Sequence, residues 1–395
     1  MRKLIKLLLH PKKFFKDSYW FKKESLSISS NFDNIFIISH LNQLNQVETL
    51  IEHKNIINSL LVILYTNKNK KMPMIIQEKC NQKLFEGIIF FRLPNFPNNY
   101  KLKSLVYMKR NYITLLEKTK TKNLFLLSFE NHYALLASNA KKRKIKLTLI
   151  DEGTATYKIP ELSEYYQSQP LIKQVLAYIL KIDSAFYWFK DFDTIYAAFP
   201  ELLQNNFNAK TYHYFFVHTE KSSISSHTKQ LINKYRITSN DFIYVNQRYA
   251  INDNDFVNTV ITILSSLSNY FNTKVFIKLH PKDTDSLKKI FIKQLQNFHN
   301  IILIEENEFL IESAIQAIQP LGILGLTSTS LVYTPLISSE TKVYSIKPWF
   351  INIVPKKNNF DGITLINNHY TILMQFKHII ALKNEKQLYN LDTKC

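Results

Sequence analysis

The chain of 395 residues carries 51 Lys plus Arg against 31 Asp plus Glu, so its formal net charge is +20, and 46% of its residues are hydrophobic. This length exceeds one ordinary hydrophobic core and indicates two domains of about 150–200 residues each. P-loop and dinucleotide-binding folds need several glycines close together, and the whole chain has five. ATPases, kinases and NAD enzymes are therefore disfavoured, while Cys80 and Cys395 offer no disulfide framework or zinc spacing and fit a reducing cytosol.

Residues 1–25 interleave Lys and Arg with Leu, Phe and Trp. This pattern predicts a basic amphipathic segment that lies in the headgroup region of an anionic membrane, the alternative being a solvated helix packed on the next domain. The sequence has no charge-free run of 18 residues and no secretion signal. We therefore expect a cytoplasmic protein, peripheral at the inner face of the inner membrane.

Short apolar runs alternate with helical patterns from residue 34 to about 158. The predicted strands are 34–39, 60–66, 87–93, 123–129 and 146–151, and the predicted helices are 42–54, 101–120 and 130–143. Such alternation predicts a parallel sheet with helices on both faces. We assign this Rossmann-like domain to residues 26–222.

The pattern weakens over 160–226 and ends in a linker candidate, "EKSSISSH". It then resumes with strands 241–249, 274–281, 300–306, 321–326 and 342–346, helices 255–271, 284–297 and 309–318, a helix from about 328, and a helical pattern at 364–386. We assign a second Rossmann-like domain to residues 223–362. Residues 363–395 are predicted to form a C-terminal helix, which packs either on its own domain or back on the first domain. The two domains are expected to face a central cleft.

Ligands of doubly wound sheets bind at the carboxyl ends of the strands, and the first such end here is "LTLI" followed by Asp151, Glu152 and Gly153. A carboxylate at this position can act as a general base toward an acceptor hydroxyl. The alternative is a purely structural turn, since Asp is common at helix caps and both Asp and Gly are common in turns.

The second strand end is "FIKLHPKD". Lys278 and His280 are two residues apart and would share one face of a strand, while Pro281 directs the exit of the chain. This pair suits an anionic leaving group, although a lone His near a strand end is often structural.

The third strand end is "GILGLTSTSLVYTPL". Ser328, Thr329 and Ser330 stand at the start of a helix, where hydroxyls and free amides form an anion site. Glu312 is early in the preceding helix and is a candidate ligand of a ribose diol, or merely complements the helix dipole.

Three acidic runs, 191–193, 253–255 and 283–285, resemble metal-binding acid pairs. None follows a predicted strand with an apolar lead-in, and hard cations need several converging oxygens. We interpret the three runs as solvated loops and predict no obligatory metal.

The segments "DEG" at 151–153, "HP" at 280–281 and "TSTS" at 327–330 resemble, in kind and order, the motifs of bacterial sialyltransferases. The chain is similar over nearly its whole length to the capsular polysialyltransferases, glycosyltransferase family 38, also through "ISHLNQLNQVETLI", "VNQRY" and "IKLHPKD". The resemblance implies a GT-B fold, CMP-sialic acid as donor, inversion at the anomeric carbon, and neither cofactor nor metal. It also implies that the domain at 26–222 binds the acceptor and the domain at 223–362 binds the CMP-sugar donor.

The resemblance also implies roles for individual residues. Glu152 would be the general base and Asp151 would support its turn. His280 would stabilise the departing CMP phosphate, and Glu312 would contact the ribose. The implied donor set is completed by Lys278, Pro281, Ser328, Thr329 and Ser330, with Thr329 where the family more often has Ser.

The positive charge would serve an anionic acceptor. Polysialic acid has one carboxylate per sugar, and Lys68, Lys70 and Lys71 are candidates to bind it. The implied partners are CMP-sialic acid, an oligosialic or polysialic acceptor with or without a lipid anchor, the cytoplasmic membrane and capsule assembly proteins.

Two other functions stay open. One is a transferase that adds a single sialic acid or a Kdo-like sugar to lipooligosaccharide. The other is a non-catalytic protein that binds polyanions or nucleic acid, although the sequence has no helix-turn-helix, aromatic RNP strand or zinc ligands. We therefore expect no nucleic-acid partner, and the sequence does not specify linkage, processivity, acceptor length or oligomeric state.

Overall fold

The computed structural model describes residues 9, 28, 31–69, 71–95, 101–158, 169–217, 226–280, 283–306 and 310–390. The chain divides into two compact units, Met1–Glu220 and Lys221–Cys395. The predicted membrane segment 1–25 lies outside the described residues except for Leu9, as do Lys70 and Pro281.

The first unit contains a seven-stranded sheet in which all pairs are parallel, in the order β3-β2-β1-β4-β5-β6-β7. Its strands are β1 (Asn34–Ile38), β2 (Ser59–Thr66), β3 (Gly87–Leu93), β4 (Asn123–Leu126), β5 (Lys146–Ile150), β6 (Thr194–Ala197) and β7 (Thr211–Tyr214). Its described helices are α1 (Leu41–Lys54), α2 (Met72–Lys79), α3 (Leu102–Thr119), α4 (Asn131–Lys141), α5 (Leu171–Ile179) and α6 (Pro200–Leu203).

The second unit contains a six-stranded parallel sheet in the order β10-β9-β8-β11-β12-β13. Its strands are β8 (Phe242–Val245), β9 (Val275–Lys278), β10 (Ile301–Ile304), β11 (Gly322–Gly325), β12 (Lys342–Ser345) and β13 (Ile380–Ala381). Its described helices are α7 (Ser226–Tyr235), α8 (Asp253–Phe271), α9 (Asp285–Leu295), α10 (Ile311–Ile318), α11 (Thr329–Ile337), α12 (Lys347–Ile353) and α13 (Phe360–Leu373).

The central strands explain why the sequence folds this way. All five residues of β1 and all four of β8 are buried. Strands covered by helices on both faces need continuous apolar runs rather than alternation. The predicted α/β class with two doubly wound domains is confirmed.

Each sheet reverses its strand order at one place, between β1 and β4 in the first unit and between β8 and β11 in the second. Because crossovers between parallel strands are right-handed, the connections that follow these paired strands should lead to opposite faces of the sheet. The resulting crevice at the carboxyl edge is where doubly wound folds bind ligands.

The structure differs from the sequence prediction in several elements. The predicted strand 274–281 ends at Lys278, so His280 lies beyond the strand. The stretch predicted to weaken contains β6, β7 and α5, which are too short to give a clear period. The helical pattern at 364–386 divides into α13, the short β13 and a 3₁₀ turn at Glu385–Asn390.

The C-terminal segment belongs to the second unit. Ile366 of α13 and Leu388 are fully buried and lie in the same core cluster as Phe242 of β8. Part of the apolar surface of α13 is therefore buried in the second unit, and packing of this segment on the first domain stays a prediction. Within the described ranges, every helix is too short or too polar to span a bilayer.

Candidate active site

The loop after β5 is organised around Asp151, which is buried. Its carboxylate accepts hydrogen bonds from the Gly153 amide at 2.8 Å, the Tyr157 hydroxyl at 2.5 Å and the Ala198 amide at 3.3 Å. Gly153 has a φ of 135°, a backbone conformation that residues other than glycine rarely adopt. Asp151 and Gly153 together hold the sharp turn that presents Glu152.

Glu152 points to the start of another loop. Its Oε1 lies 2.6 Å from Nε2 of His40, and the two side chains are 23% and 40% exposed. Its backbone amide donates to the Thr156 hydroxyl at 3.0 Å. His40 follows β1 and Glu152 follows β5, so the pair flanks β4 beside the crevice.

His40 has the N-cap position of α1, yet its side chain makes no capping hydrogen bond. The imidazole is used instead for Glu152. Beside the pair, Gln43 Oε1 accepts from the Ser39 amide at 2.6 Å and from the Ser39 hydroxyl at 3.1 Å. Burial raises the pKa of Tyr133, and the Glu152 carboxylate raises it further, which keeps this phenol protonated next to the acid.

In the second unit, Lys278 ends β9 with 6% of its surface exposed. Burial lowers the pKa of its ammonium, while the Glu312 and Asp283 carboxylates act in the opposite direction. A cation is therefore held at the end of β9, with one carboxylate from the loop after that strand and one from the first turn of α10.

The turn that contains His280 is anchored by Asp283. Asp283 Oδ2 accepts from the His280 amide at 2.7 Å and from Asn246 Nδ2 at 2.7 Å, and the Asp283 amide donates to the His280 carbonyl at 2.9 Å. Our interpretation of residues 283–285 as a solvated acidic loop is wrong for Asp283. Its carboxylate closes the turn after β9, and its Oδ1 is buried without a partner among the described residues.

The start of α11 matches the predicted hydroxyl cluster. Ser328 is the N-cap and its Oγ accepts from the Ser330 amide at 3.3 Å. The Ser330 hydroxyl donates to Glu312 Oε1 at 3.2 Å. Ser330, Glu312 and Lys278 are thus brought to one edge of the second sheet, with Thr329 as the first residue of the helix.

A further polar cluster joins the two loops at the switch point of the second sheet. Gln247 Oε1 accepts from the Thr327 amide at 3.0 Å and from the Thr327 hydroxyl at 2.9 Å. The Tyr249 hydroxyl bonds to Thr327 and lies 3.3 Å from Nδ1 of His369. Burial raises the pKa of Tyr249 to about 12, so its hydroxyl is neutral at physiological pH.

The remaining predicted residues lie at the surface. Lys68 and Lys71 are exposed in the connection between β2 and α2. Asp191 and Asp193 pair with Lys141 and Lys210, which fits a solvated role.

The run at 253–255 forms the first turn of α8 rather than a loop, because Asn252 caps that helix. Within the part of the chain that the structure describes, three or more His, Cys, Asp or Glu side chains never converge as metal ligands would.

A protein-family model described as alpha-2,8-polysialyltransferase matches residues 34–347, which is more than half of the chain. The chain belongs to the alpha-2,8-polysialyltransferase family. It is therefore a glycosyltransferase of the sialyltransferase class, and the predicted resemblance is confirmed. The matched residues include both strand-end clusters. No curated protein matches the chain.

The fold is similar to that of solved two-domain enzymes. UDP-GlcNAc 2-epimerase from Methanocaldococcus jannaschii has a TM-score of 0.53 at 12% identity, with 92% of this chain and 91% of that chain covered. The Neisseria meningitidis UDP-GlcNAc 2-epimerase, solved with UDP-GlcNAc, has a TM-score of 0.50 at 13% identity, covering 93% of this chain and 100% of that one. Arabidopsis thaliana UGT89C1 has a TM-score of 0.50 at 9% identity, covering 89% and 85%. These structural similarities show that this chain has a GT-B fold.

Sequence reasoning missed His40, Gln43, Tyr133, Asn246, Gln247, Tyr249 and His369 as members of these clusters. A signal was present for some of them, since "ISHLNQLNQVETLI" contains His40 and "VNQRY" contains Gln247. Neither segment has a chemical role by itself. Their roles become visible only when β1 is placed two strands from β5, and β8 next to β11.

Proposed function

We propose that the chain moves sialic acid from CMP-sialic acid to the non-reducing end of a sialylated acceptor, with inversion and without a metal, and so elongates capsular polysialic acid. The observation that carries this proposal is the contact of 2.6 Å between Glu152 and His40 at the carboxyl edge of the first sheet. Membership of the polysialyltransferase family supplies the reaction class.

Glu152 is the proposed general base. Its Oε1 contacts His40, which leaves Oε2 to accept the proton of the acceptor hydroxyl. The hydroxyl oxygen then attacks the anomeric carbon of sialic acid as the bond from that carbon to the CMP phosphate oxygen breaks. The electron pair leaves with CMP. A single displacement of this kind inverts the anomeric centre.

Asp151 fits the supporting role that the resemblance implies. Three donors already bond its buried carboxylate, so it is poorly placed to serve as a base or nucleophile. A second reactive carboxylate would be expected for a double displacement. Of the two neighbouring acids, Glu152 is therefore the one available to react, and a single displacement with inversion is favoured.

The second unit carries groups suited to the leaving phosphate. Lys278 supplies a buried cation, and the start of α11 supplies hydroxyls and the positive end of a helix dipole. These groups stabilise developing negative charge as a divalent cation would. His280 and Glu312 belong to the same proposal, as contacts to the phosphate and the ribose.

The acceptor and the cellular site are also proposals. The exposed Lys68 and Lys71 would attract the carboxylates of a polyanionic acceptor, which is either lipid-linked or free. Residues 1–25 would hold the enzyme peripherally at the inner face of the cytoplasmic membrane, near the capsule assembly proteins.

The test uses the full chain, CMP-sialic acid and a fluorescent oligosialic acceptor, with excess EDTA. The expected product is a ladder of sialylated species by mass spectrometry that linkage-specific sialidase removes. Addition of one sugar only would favour the lipooligosaccharide-type transferase. No turnover together with tight binding of duplex DNA at physiological salt would contradict the enzyme and favour a polyanion-binding protein.

A further inference from the structure

Helix α5 turns its apolar side away from the protein. Six of its nine residues are large hydrophobic side chains that are between 42% and 76% exposed. They are Leu171, Ile172, Val175, Leu176, Tyr178 and Ile179, and we name them the α5 face. At about 100° per residue they form one continuous arc of the helix.

The inward side of α5 is small and polar. Ala177 is fully buried, and Lys173 Nζ lies 5.0 Å from the centroid of the Phe186 ring. Lys173 also donates to Gln169 Oε1 at 2.6 Å, and Gln174 Nε2 donates to the Gln169 carbonyl at 2.7 Å. A surface helix normally buries its apolar stripe, so α5 is inverted.

Basic residues surround the end of this helix. Lys109 of α3 donates to the Leu180 carbonyl at 2.9 Å. Burial lowers the pKa of Lys109, and the positive charges of Lys142 and Lys181 lower it further. Asp183 is the acid that faces this group. The segment from 171 to 181 itself contains no Asp or Glu.

We propose that the α5 face docks on the surface of an anionic lipid bilayer. Its Leu, Ile and Val side chains would enter the boundary between headgroups and acyl chains, with Tyr178 at the headgroup level. Lys109, Lys142 and Lys181 would contact the lipid phosphates. A short helix with an apolar arc and neighbouring cations is suited to this interface.

A second copy of the chain is a poorer occupant. Stable protein interfaces use about 20–30 residues on each partner, whereas the α5 face offers six. A soluble polyanion would match the cations but would leave the apolar arc in water. This docking surface is distinct from the predicted segment 1–25 and does not depend on the transferase reaction.

The test attaches an environment-sensitive fluorophore at Ile172→Cys in the full chain, with Cys395→Ser. The matched control is Ile57→Cys, because both isoleucines are 76% exposed. The buried Cys80 does not compete for the label, since burial raises its pKa to about 12. Vesicles of phosphatidylglycerol with phosphatidylethanolamine are compared with vesicles of phosphatidylcholine.

We expect the label at position 172 to brighten several-fold and shift to the blue with anionic vesicles only, and to be quenched by doxyl-labelled lipid. The label at position 57 should stay unchanged. A label at 172 that remains in water while the protein floats with the vesicles overturns the proposal. A shift that grows with protein concentration in the absence of lipid overturns it in favour of a second copy.

A charge variant provides an independent measurement. The double change Ile172→Asp with Ile179→Asp should lower the vesicle partition coefficient about tenfold or more, while Ile57→Asp leaves it within about twofold. An equal partition coefficient for both variants contradicts the proposal. Near-ultraviolet circular dichroism checks that the variants are folded. The partition measurement uses no CMP-sialic acid, so its outcome is independent of the proposed transferase activity.

Discussion

The polar clusters at the two sheet edges differ in exposure. In the first unit, Glu152 and His40 face each other with 23% and 40% of their side chains exposed. In the second unit, Lys278, Ser328 and Ser330 are each 6% exposed and bonded to neighbours or balanced by carboxylates. The first edge keeps a carboxylate within reach of solvent, whereas the groups at the second edge are buried and fixed by their neighbours.

This difference fits the two tasks that we propose for these edges. A proton acceptor must be approached by its substrate hydroxyl, so partial exposure suits Glu152. Groups that stabilise a departing phosphate are most effective when they are already oriented and dry. Substitutions at the first edge should therefore lower the rate of chemistry, and those at the second should weaken donor binding.

The largest expected effect follows Glu152→Gln. The change keeps size and polarity but removes the base, so kcat should fall about 10³-fold while CMP affinity stays within a few-fold. Initial rates with CMP-sialic acid and direct CMP titration measure both quantities. Glu117→Gln, at an exposed ion pair with Arg143, is the control. Turnover by Glu152→Gln at the normal rate would eliminate the proposed base.

Lys278→Met is expected to raise the KM for CMP-sialic acid about 100-fold, because the buried cation is lost. The Glu312 and Asp283 carboxylates lose their partner, so the melting temperature should also fall. Kinetics and calorimetry on this variant are compared with Lys274→Met, an exposed lysine just before the same strand. An unchanged KM would remove Lys278 from the donor site.

The first unit also contains a partly buried titratable group, His132, whose Nδ1 lies 2.9 Å from the Tyr112 hydroxyl. Burial lowers the pKa of His132 to about 4. The unfolded chain therefore binds more protons between pH 4 and about 6.5, so stability is present above this window and is lost as the pH falls through it.

The loss should be on the order of 3 kcal/mol, or roughly 100-fold in the folding equilibrium constant. Denaturant unfolding of the first unit at several pH values measures it. His132→Gln should flatten this dependence, whereas His53→Gln, at an exposed histidine of the same unit, should not. The same slope in both variants would assign the pH dependence to other groups.

His40→Ala should lower kcat about tenfold with little change in KM, because the imidazole orients Glu152 without replacing it. His40→Gln, which can still bond to the carboxylate, should retain part of that rate. His53→Gln, at the other end of α1, is the control. A change confined to KM would instead place His40 in acceptor binding.

The smallest effect is expected for Lys68→Gln with Lys71→Gln. The KM for long oligosialic acceptors should rise about threefold, and the rise should shrink at high salt. A short acceptor should be unaffected. Lys377→Gln with Lys386→Gln makes the same charge change elsewhere and should leave both values unchanged.

The candidate site could be predicted from the sequence only where motif and strand end coincide. Asp151, Glu152 and the hydroxyls of 328–330 directly follow long apolar runs, so their place at a sheet edge was readable. Asp283 was misread because it closes a turn after a strand that ends three residues earlier than predicted. His40 and Gln247 lie in segments that resemble the family, but nothing in their local sequence predicts a chemical role for either residue.

By itself, the sequence determined the α/β class, two domains and the positive charge, because strand periodicity and composition are local properties. Tertiary structure decided the partners, since parallel strands that meet at a sheet edge come from distant parts of the chain. His40 and Glu152 are 112 residues apart, and Gln247 and Thr327 are 80 apart. The inverted orientation of α5 likewise depends on what lies beneath it, because an apolar arc in a sequence does not state which side faces the core.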